Sequence, residues 1–237
     1  WPAYFSEARG CETWDTGGRR YLDFSMMGIG ACILGFADPD VNAAVTRRVT
    51  LGSMCTLNPP EEVALAERLL SLHAWADNAR FARTGGEACA MAVRIARATT
   101  GRSRVAICGY HGWHDWYLAA NLADSTALDG HLLPGLPPAG VPRELAGTTA
   151  TFRYDSTDEF DAVVDASGGD GLAAVVMEPC RYHDPSPGFL EHVRRRCSEI
   201  GAVLVFDEIT IGFRLTHGGA HLRLGVSPDV AVFAKAL

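Results

Sequence analysis

Lys235 stands directly after the apolar run from Val230 to Ala234. Lysine is normally solvated, so this one is either a surface lysine at a strand end or a desolvated amine. A desolvated amine holds its proton weakly and can condense with a carbonyl to a Schiff base. Asp207 follows the apolar residues Ala202 to Phe206, and a carboxylate at the edge of a buried strand needs a partner. A salt bridge or a helix cap would serve. So would a protonated ring nitrogen, the pairing by which an acid makes pyridoxal phosphate an electron sink. Thr84, Gly85, Gly86 and Glu87 open a helical segment. Its free N–H groups and two glycines would let an anion such as phosphate approach, although the same residues also read as a tight turn into a helix. The stretch from Tyr110 to Tyr117 holds Trp113 and Trp116 as well, and a ring there can stack on a planar cofactor. His111 and His114 are three apart, but no third ligand has suitable spacing. His183, His217 and His221 show no ligand pattern either, so no metal is expected.

These residues fall where a strand and helix alternation would put them together. Arg104–Cys108, Leu172–Met177, Ala202–Phe206 and Asp229–Ala234 read as buried strands, and Ala79–Arg83 as a short one. Residues 86–99, 157–166 and 187–200 read as helices. Continuous apolar strands between amphipathic helices imply a mostly parallel sheet covered on both faces. Ligands bind such sheets at the carboxyl ends of the strands. There the chain presents Thr84 to Glu87, Gly109 to Gly112, Glu178, Asp207 with Glu208, and Lys235. Ahead of this part, the turn signal Asp15 to Gly18 between Cys11–Trp14 and Arg20–Phe24 predicts a hairpin. Residues 39–51 and 60–73 look helical, the second with an apolar face from Val63, Leu65, Ala66, Leu69, Leu70 and Leu72. Residues 121–150 are rich in Gly and Pro and read as a long loop.

Bulk composition fits an ordinary globular protein. Of 237 residues, 48% are hydrophobic and 21% charged, as in ordinary globular proteins. The net charge of −7 gives no reason to expect nucleic acid or an anionic membrane as partner. No apolar run approaches the roughly 18 residues of a membrane span. Seven cysteines with no C-x-x-C argue against a disulfide framework or zinc knuckle, and a reducing cytoplasm fits them. The chain stops two residues after Lys235, which suggests a piece of a longer protein. No G-x-G-x-x-G follows a predicted strand, which weakens a dinucleotide-binding reading.

Taken together, these stretches resemble the class III pyridoxal-phosphate-dependent aminotransferases, and within them glutamate-1-semialdehyde aminomutase. The resemblance runs from Gly10, Asp15, Gly18 and Tyr21 to Phe24 through to Lys235. It takes in Thr84 to Ala88, Arg94 to Arg102, Tyr110 to Gly112, Glu178-Pro179, Pro187 to Leu190, Phe206 to Glu208, Gly212 to Arg214, Gly218 to Ala220 and Pro228-Asp229. It implies an α/β fold, the fold type I large domain of the pyridoxal-phosphate enzymes with a mostly parallel sheet, plus an N-terminal piece of the small domain. Residues 1–50 would be that segment with its linking helix, and 51–237 the cofactor-binding domain. It implies a homodimer acting on a small amine and a carbonyl substrate, with Lys235 and Asp207 as catalytic residues. Lys235 would carry the Schiff base to pyridoxal 5'-phosphate, and Asp207 would hold its ring nitrogen. Thr84, Gly85 and Gly86 would hold the phosphate, Tyr110 and Ile209 would flank the ring, and His111 would lie beside them. The alternatives are an intramolecular aminomutase and a truncated, inactive homologue. Two departures stand out. The family usually has Ser-Gly-Thr where this chain has Thr84, Gly85 and Gly86, and His183 stands where the aminomutase has an asparagine near the cofactor.

Overall fold

A computed structural model of the chain describes residues 4–131, 134–168 and 171–237. It divides into two compact units, residues 1–68 with 235–237, and residues 69–234. In the first, β1 (Phe5–Arg9), β2 (Glu12–Asp15) and β3 (Arg20–Leu22) form an antiparallel meander. The expected hairpin is there, with Trp14 opposite Arg20. Asp15 makes its turn by accepting the N–H groups of Gly17 and Arg19, each at 2.9 Å. Helix α1 (Pro39–Thr50) opens on Asp38, whose carboxylate accepts from Asp40 and Val41, an ordinary acidic N-cap. Helix α2 (Pro60–Leu72) lies where its periodicity puts it, but its expected inward face is not covered: no residue of α2 is fully buried, and Val63 and Leu65 are exposed. Periodicity shows that a face needs cover, not what supplies it.

The second unit carries the sheet. Its helices and strands are, in chain order, α3 (Gly85–Thr100), β4 (Arg104–Cys108), α4 (Asp115–Leu118), α5 (Ala120–Ala123), β5 (Thr149–Thr151), α6 (Thr157–Ala166), β6 (Leu172–Met177), α7 (Phe189–Ile200), β7 (Val203–Asp207), α8 (Ala220–Leu224) and β8 (Val230–Val232). The strands pair in parallel in the order β5-β4-β6-β7-β8. Alternation along them splits the core into two layers. Val105, Ile107, Ala174, Val176 and Val205 face α3 and the aromatic stretch, against Cys89, Ala92, Val93, Ala96, Trp116 and Tyr117. Ala106, Cys108, Val175, Met177, Leu204 and Phe206 face α6 and α7, against Phe160, Val164, Leu190, Val193 and Cys197. Burial of these apolar side chains is the main stabilising force, at about 25 cal/mol per Å² removed from water.

The strand expected at Ala79–Arg83 does not form. That segment has no ladder partner among the described residues, and extended backbone becomes a strand only by pairing. Three elements inside or beside the expected loop were not foreseen: β5, a three-residue edge strand, and the short helices α4 and α5. No helix among the described residues is long and apolar enough to cross a membrane.

Candidate active site

From β4 the chain goes to β5 on one side and then to β6 on the other. At such a reversal the loops leaving the strands part and open a crevice at their carboxyl ends. Gly109 to Gly112 leave β4 there, Glu178 leaves β6, and Asp207 ends β7.

Asp207 is the hub. It is buried, at 3% exposure. Its Oδ1 accepts the N–H of Ile209 at 3.0 Å. Its Oδ2 lies 2.8 Å from Nδ1 of fully buried His111 and 3.5 Å from the thiol of Cys89 on α3. Burial, and then the Asp207 charge, push the Cys89 thiol well above its usual range, so it remains an S–H donor. An ionised carboxylate offers about four acceptor positions. Three are taken by these donors, and among the described residues Oδ1 has no second donor.

Helix α3 reaches the same place. Thr84 caps it: the hydroxyl accepts from Glu87 N–H at 3.2 Å, while the Glu87 carboxylate accepts from the N–H groups of Arg83 and Thr84. This reciprocal cap commits the Thr84 side chain. The N–H groups of Gly85 and Gly86, first in the helix, have no intrahelical acceptor and carry its positive dipole end. A larger residue at either position would need a neighbouring side chain to move. A Cβ on Gly85 would come within 2.6 Å of the Ile209 side chain, and one on Gly86 within 2.9 Å of the His114 ring. Tyr110 and Ile209 both pack against the α3-facing layer of the core. Tyr110 meets Tyr117 edge-on at 5.7 Å, and Tyr117 donates to the Gly109 carbonyl at 3.1 Å. Burial, and secondarily the Asp207 charge, raise the Tyr110 hydroxyl's pKa.

Contacts and hydrogen bonds thus join Gly85, Ile209, Asp207 and His111, with Gly86 and Thr84 on the same helix end. Lys235 belongs to the other unit. It follows Val232, the residue paired with Asp207, by three positions, and its φ is +55°. His183 is turned elsewhere, against Tyr154 at 5.3 Å with Nδ1 2.8 Å from the Asp184 carbonyl.

Several supporting residues carry no sequence signal. Arg181 is buried against Glu178 at 2.6 Å and donates to the His131 carbonyl at 2.6 Å. His131 Nδ1 in turn accepts the Gly109 N–H at 3.1 Å. Burial, reinforced by the Arg181 charge, lowers the His131 pKa to about 4, so the ring is neutral and can accept. Glu208 looks in sequence like a second acid beside Asp207. It is fully buried and satisfied by the start of α8: Oε2 accepts Ala220 N–H at 2.5 Å, and Oε1 accepts the N–H and Nδ1 of His221 at 2.9 and 2.5 Å. Trp75 Nε1–H donates to His221 Nε2 at 3.0 Å. No group of three or more His, Cys, Asp or Glu able to hold a metal ion occurs among the described residues.

The chain is 36% identical to a glutamate-1-semialdehyde 2,1-aminomutase of Syntrophobacter fumaroxidans, over all of this chain and 54% of that one. Its structure is similar to an omega-transaminase from Sphaerobacter thermophilus, with TM-score 0.86, 31% identity, and coverage of 100% of this chain and 55% of the other. It is also similar to a transaminase with PLP bound, at TM-score 0.86 and 28% identity over 99% and 55% of the two chains. The chain therefore spans about half the length of these relatives. Over that span every residue from 1 to 237 is matched by one family description, and the chain belongs to the aminotransferase class-III family.

Proposed function

We propose that this chain is the cofactor-holding part of a pyridoxal-phosphate-dependent aminotransferase. One observation carries the reading: a buried carboxylate with one open acceptor, Asp207, lies across from a bare helix N-terminus at Gly85 and Gly86, with Tyr110 and Ile209 in the same layer. The residues fit the group. The helix end suits a phosphate dianion. The open acceptor suits a protonated ring nitrogen, and the fully buried, unpaired Nε2 of His111 marks the Asp207 surroundings as polar within an apolar layer.

When bound, pyridoxal phosphate supplies an electron sink that stabilises charge on the substrate's α-carbon. The protein's work is to hold and to move protons. Gly85 and Gly86 would bind the phosphate through main-chain N–H groups, while the Thr84 cap holds that turn. Asp207 Oδ1 would accept from the ring nitrogen, and His111, Cys89 and the Ile209 N–H hold the carboxylate in place. Tyr110 and Ile209 hold the ring plane and exclude water from its faces. Lys235 Nζ would hold the cofactor and would move a proton at the substrate's α-carbon. The resemblance further supports a homodimer, and seven free thiols suit a reducing cytoplasm.

Two readouts test this. Addition of pyridoxal phosphate should give a visible absorbance band, and borohydride reduction followed by peptide mapping should label Lys235. Lys235 is the chain's only lysine, so absence of label from its peptide, or an unchanged absorbance band in Lys235→Ala, overturns the assignment. The kinship to an aminomutase favours one second reading, intramolecular amino transfer. Turnover of glutamate-1-semialdehyde without added amino donor would establish it, and strict dependence on a donor would exclude it.

A further inference from the structure

Two buried polar atoms next to the Asp207 site have no hydrogen-bond partner among the described residues: Nε2 of His111 and Nε1 of Trp116. His111 is 0% and Trp116 7% exposed. Their rings lie nearly parallel, 15° apart, with centroids separated by 6.4 Å. Each side chain is otherwise fixed in the α3-facing side of the unit: His111 through Asp207, Trp116 within the core layer. Buried polar groups are nearly always paired, and an unmade bond is costly. Two such atoms on adjacent rings therefore call for a shared partner.

Their protons can be sorted from chemistry alone. Asp207 Oδ2 only accepts, so His111 Nδ1, at 2.8 Å, carries a hydrogen. A second hydrogen on Nε2 would need an acceptor, and the neighbouring unpaired atom is an indole N–H, which can only donate. A ring with its lone pair on Nε2 would pair with a donor there. One atom needs an acceptor and the other needs a donor. A water molecule is both, and it is small enough to bond two such groups at once.

We propose that one buried water accepts from Trp116 Nε1–H and donates to His111 Nε2. Trp116 thereby becomes a positioning residue: through the water and His111 it fixes the imidazole tautomer that presents N–H to Asp207. The meaning for cofactor binding rests on the function proposed above; the water and the tautomer do not.

The test uses the 237-residue chain with ¹⁵N-labelled histidine, and long-range proton–nitrogen correlation spectra assigned with His111→Gln. Near neutral pH, His111 should show a protonated Nδ1 and an unprotonated Nε2 shifted as a hydrogen-bond acceptor. In Trp116→Phe that Nε2 resonance should move toward the unbonded position. A protonated Nε2, or a spectrum indifferent to Trp116→Phe, overturns the proposal. If Trp116→Phe does not fold, a crystal structure of the unaltered protein decides. Ordered water within about 3.2 Å of both nitrogens supports it, and their direct contact or an empty apolar gap overturns it. Where pyridoxal phosphate binds, Trp116→Phe should weaken it about 3- to 10-fold, the effect of one lost hydrogen bond. Equal affinity in the two proteins would sink the positioning role. Failure of both to bind would sink the cofactor reading, and the nitrogen shifts would still decide the water.

Discussion

Replacing Asp207 separates its structural from its chemical role, because the two obvious substitutions keep different bonds. In Asp207→Ala the Ile209 N–H and the His111 ring lose their acceptor inside the protein, together with the weaker Cys89 thiol contact. Each stranded buried donor costs about 1–3 kcal/mol, so the variant should lose about 2–5 kcal/mol of stability. Asp207→Asn keeps an oxygen for Ile209 and offers an NH₂ group to a His111 whose Nδ1 has become the acceptor. Its stability loss should stay within about 1 kcal/mol, the net worth of a typical exchanged bond. Yet the amide cannot hold a ring nitrogen protonated as a carboxylate does. A hydrogen bond to a charged partner contributes about 1.5–3 kcal/mol, equivalent to roughly 10- to 100-fold in affinity. Urea unfolding of the apoprotein and absorbance titration with pyridoxal phosphate read the two effects separately. The reasoning fails if Asp207→Asn binds pyridoxal phosphate as tightly as the unaltered protein, or if Asp207→Ala is no less stable than Asp207→Asn.

The remaining expectations concern the supports of the site. Glu208→Gln should destabilise the protein by about 1–3 kcal/mol in urea unfolding, because its amide NH₂ would face the Ala220 N–H that Oε2 now accepts; a neutral outcome would mean that the α8 start does not depend on this carboxylate. His131 has its pKa lowered to about 4 in the folded protein against about 6.5 unfolded. The unfolded chain thus takes up a proton first as pH falls. Stability from this residue is complete above about pH 6.5 and is lost on the way down to about pH 4, by roughly 3 kcal/mol in all. His131→Asn should flatten the stability profile in that window, and an unchanged slope would contradict the buried neutral ring. Among the cysteines, Cys11 and Cys55 are exposed and Cys32 partly so, whereas Cys89, Cys108, Cys180 and Cys197 are buried. Burial pushes the Cys108 and Cys197 thiols up to about 12. A thiol reagent should therefore modify two or three groups in the native chain and all seven after denaturation, and fast reaction of a fourth would show that one of the buried sites opens.

Strand ends were legible in the sequence because two signals coincide there: a run rich in β-branched and small apolar residues, then an abrupt glycine or acidic residue. Cys108 followed by Gly109, Met177 by Glu178 and Phe206 by Asp207 all stand at the boundary where the structure ends a strand or starts its exit. The same logic failed at Ala79–Arg83, since no ladder partner runs beside that segment, and pairing is not a local property. Whether an acid at a strand end is available for chemistry was also beyond the sequence. Asp207 and Glu208 are adjacent and look alike on paper. In the fold Glu208 is consumed by two N–H groups and an imidazole at the start of α8, while Asp207 keeps one acceptor open. The difference is made by residues 12 and 13 positions downstream for one, and by Cys89 and His111, 118 and 96 positions upstream, for the other. Sequence motifs therefore locate the carboxylate, but the residues that set its charge and leave its last lone pair free come from remote helices. Substitutions at Cys89, His111 and Trp116 should accordingly alter the site while leaving every strand-end motif unchanged.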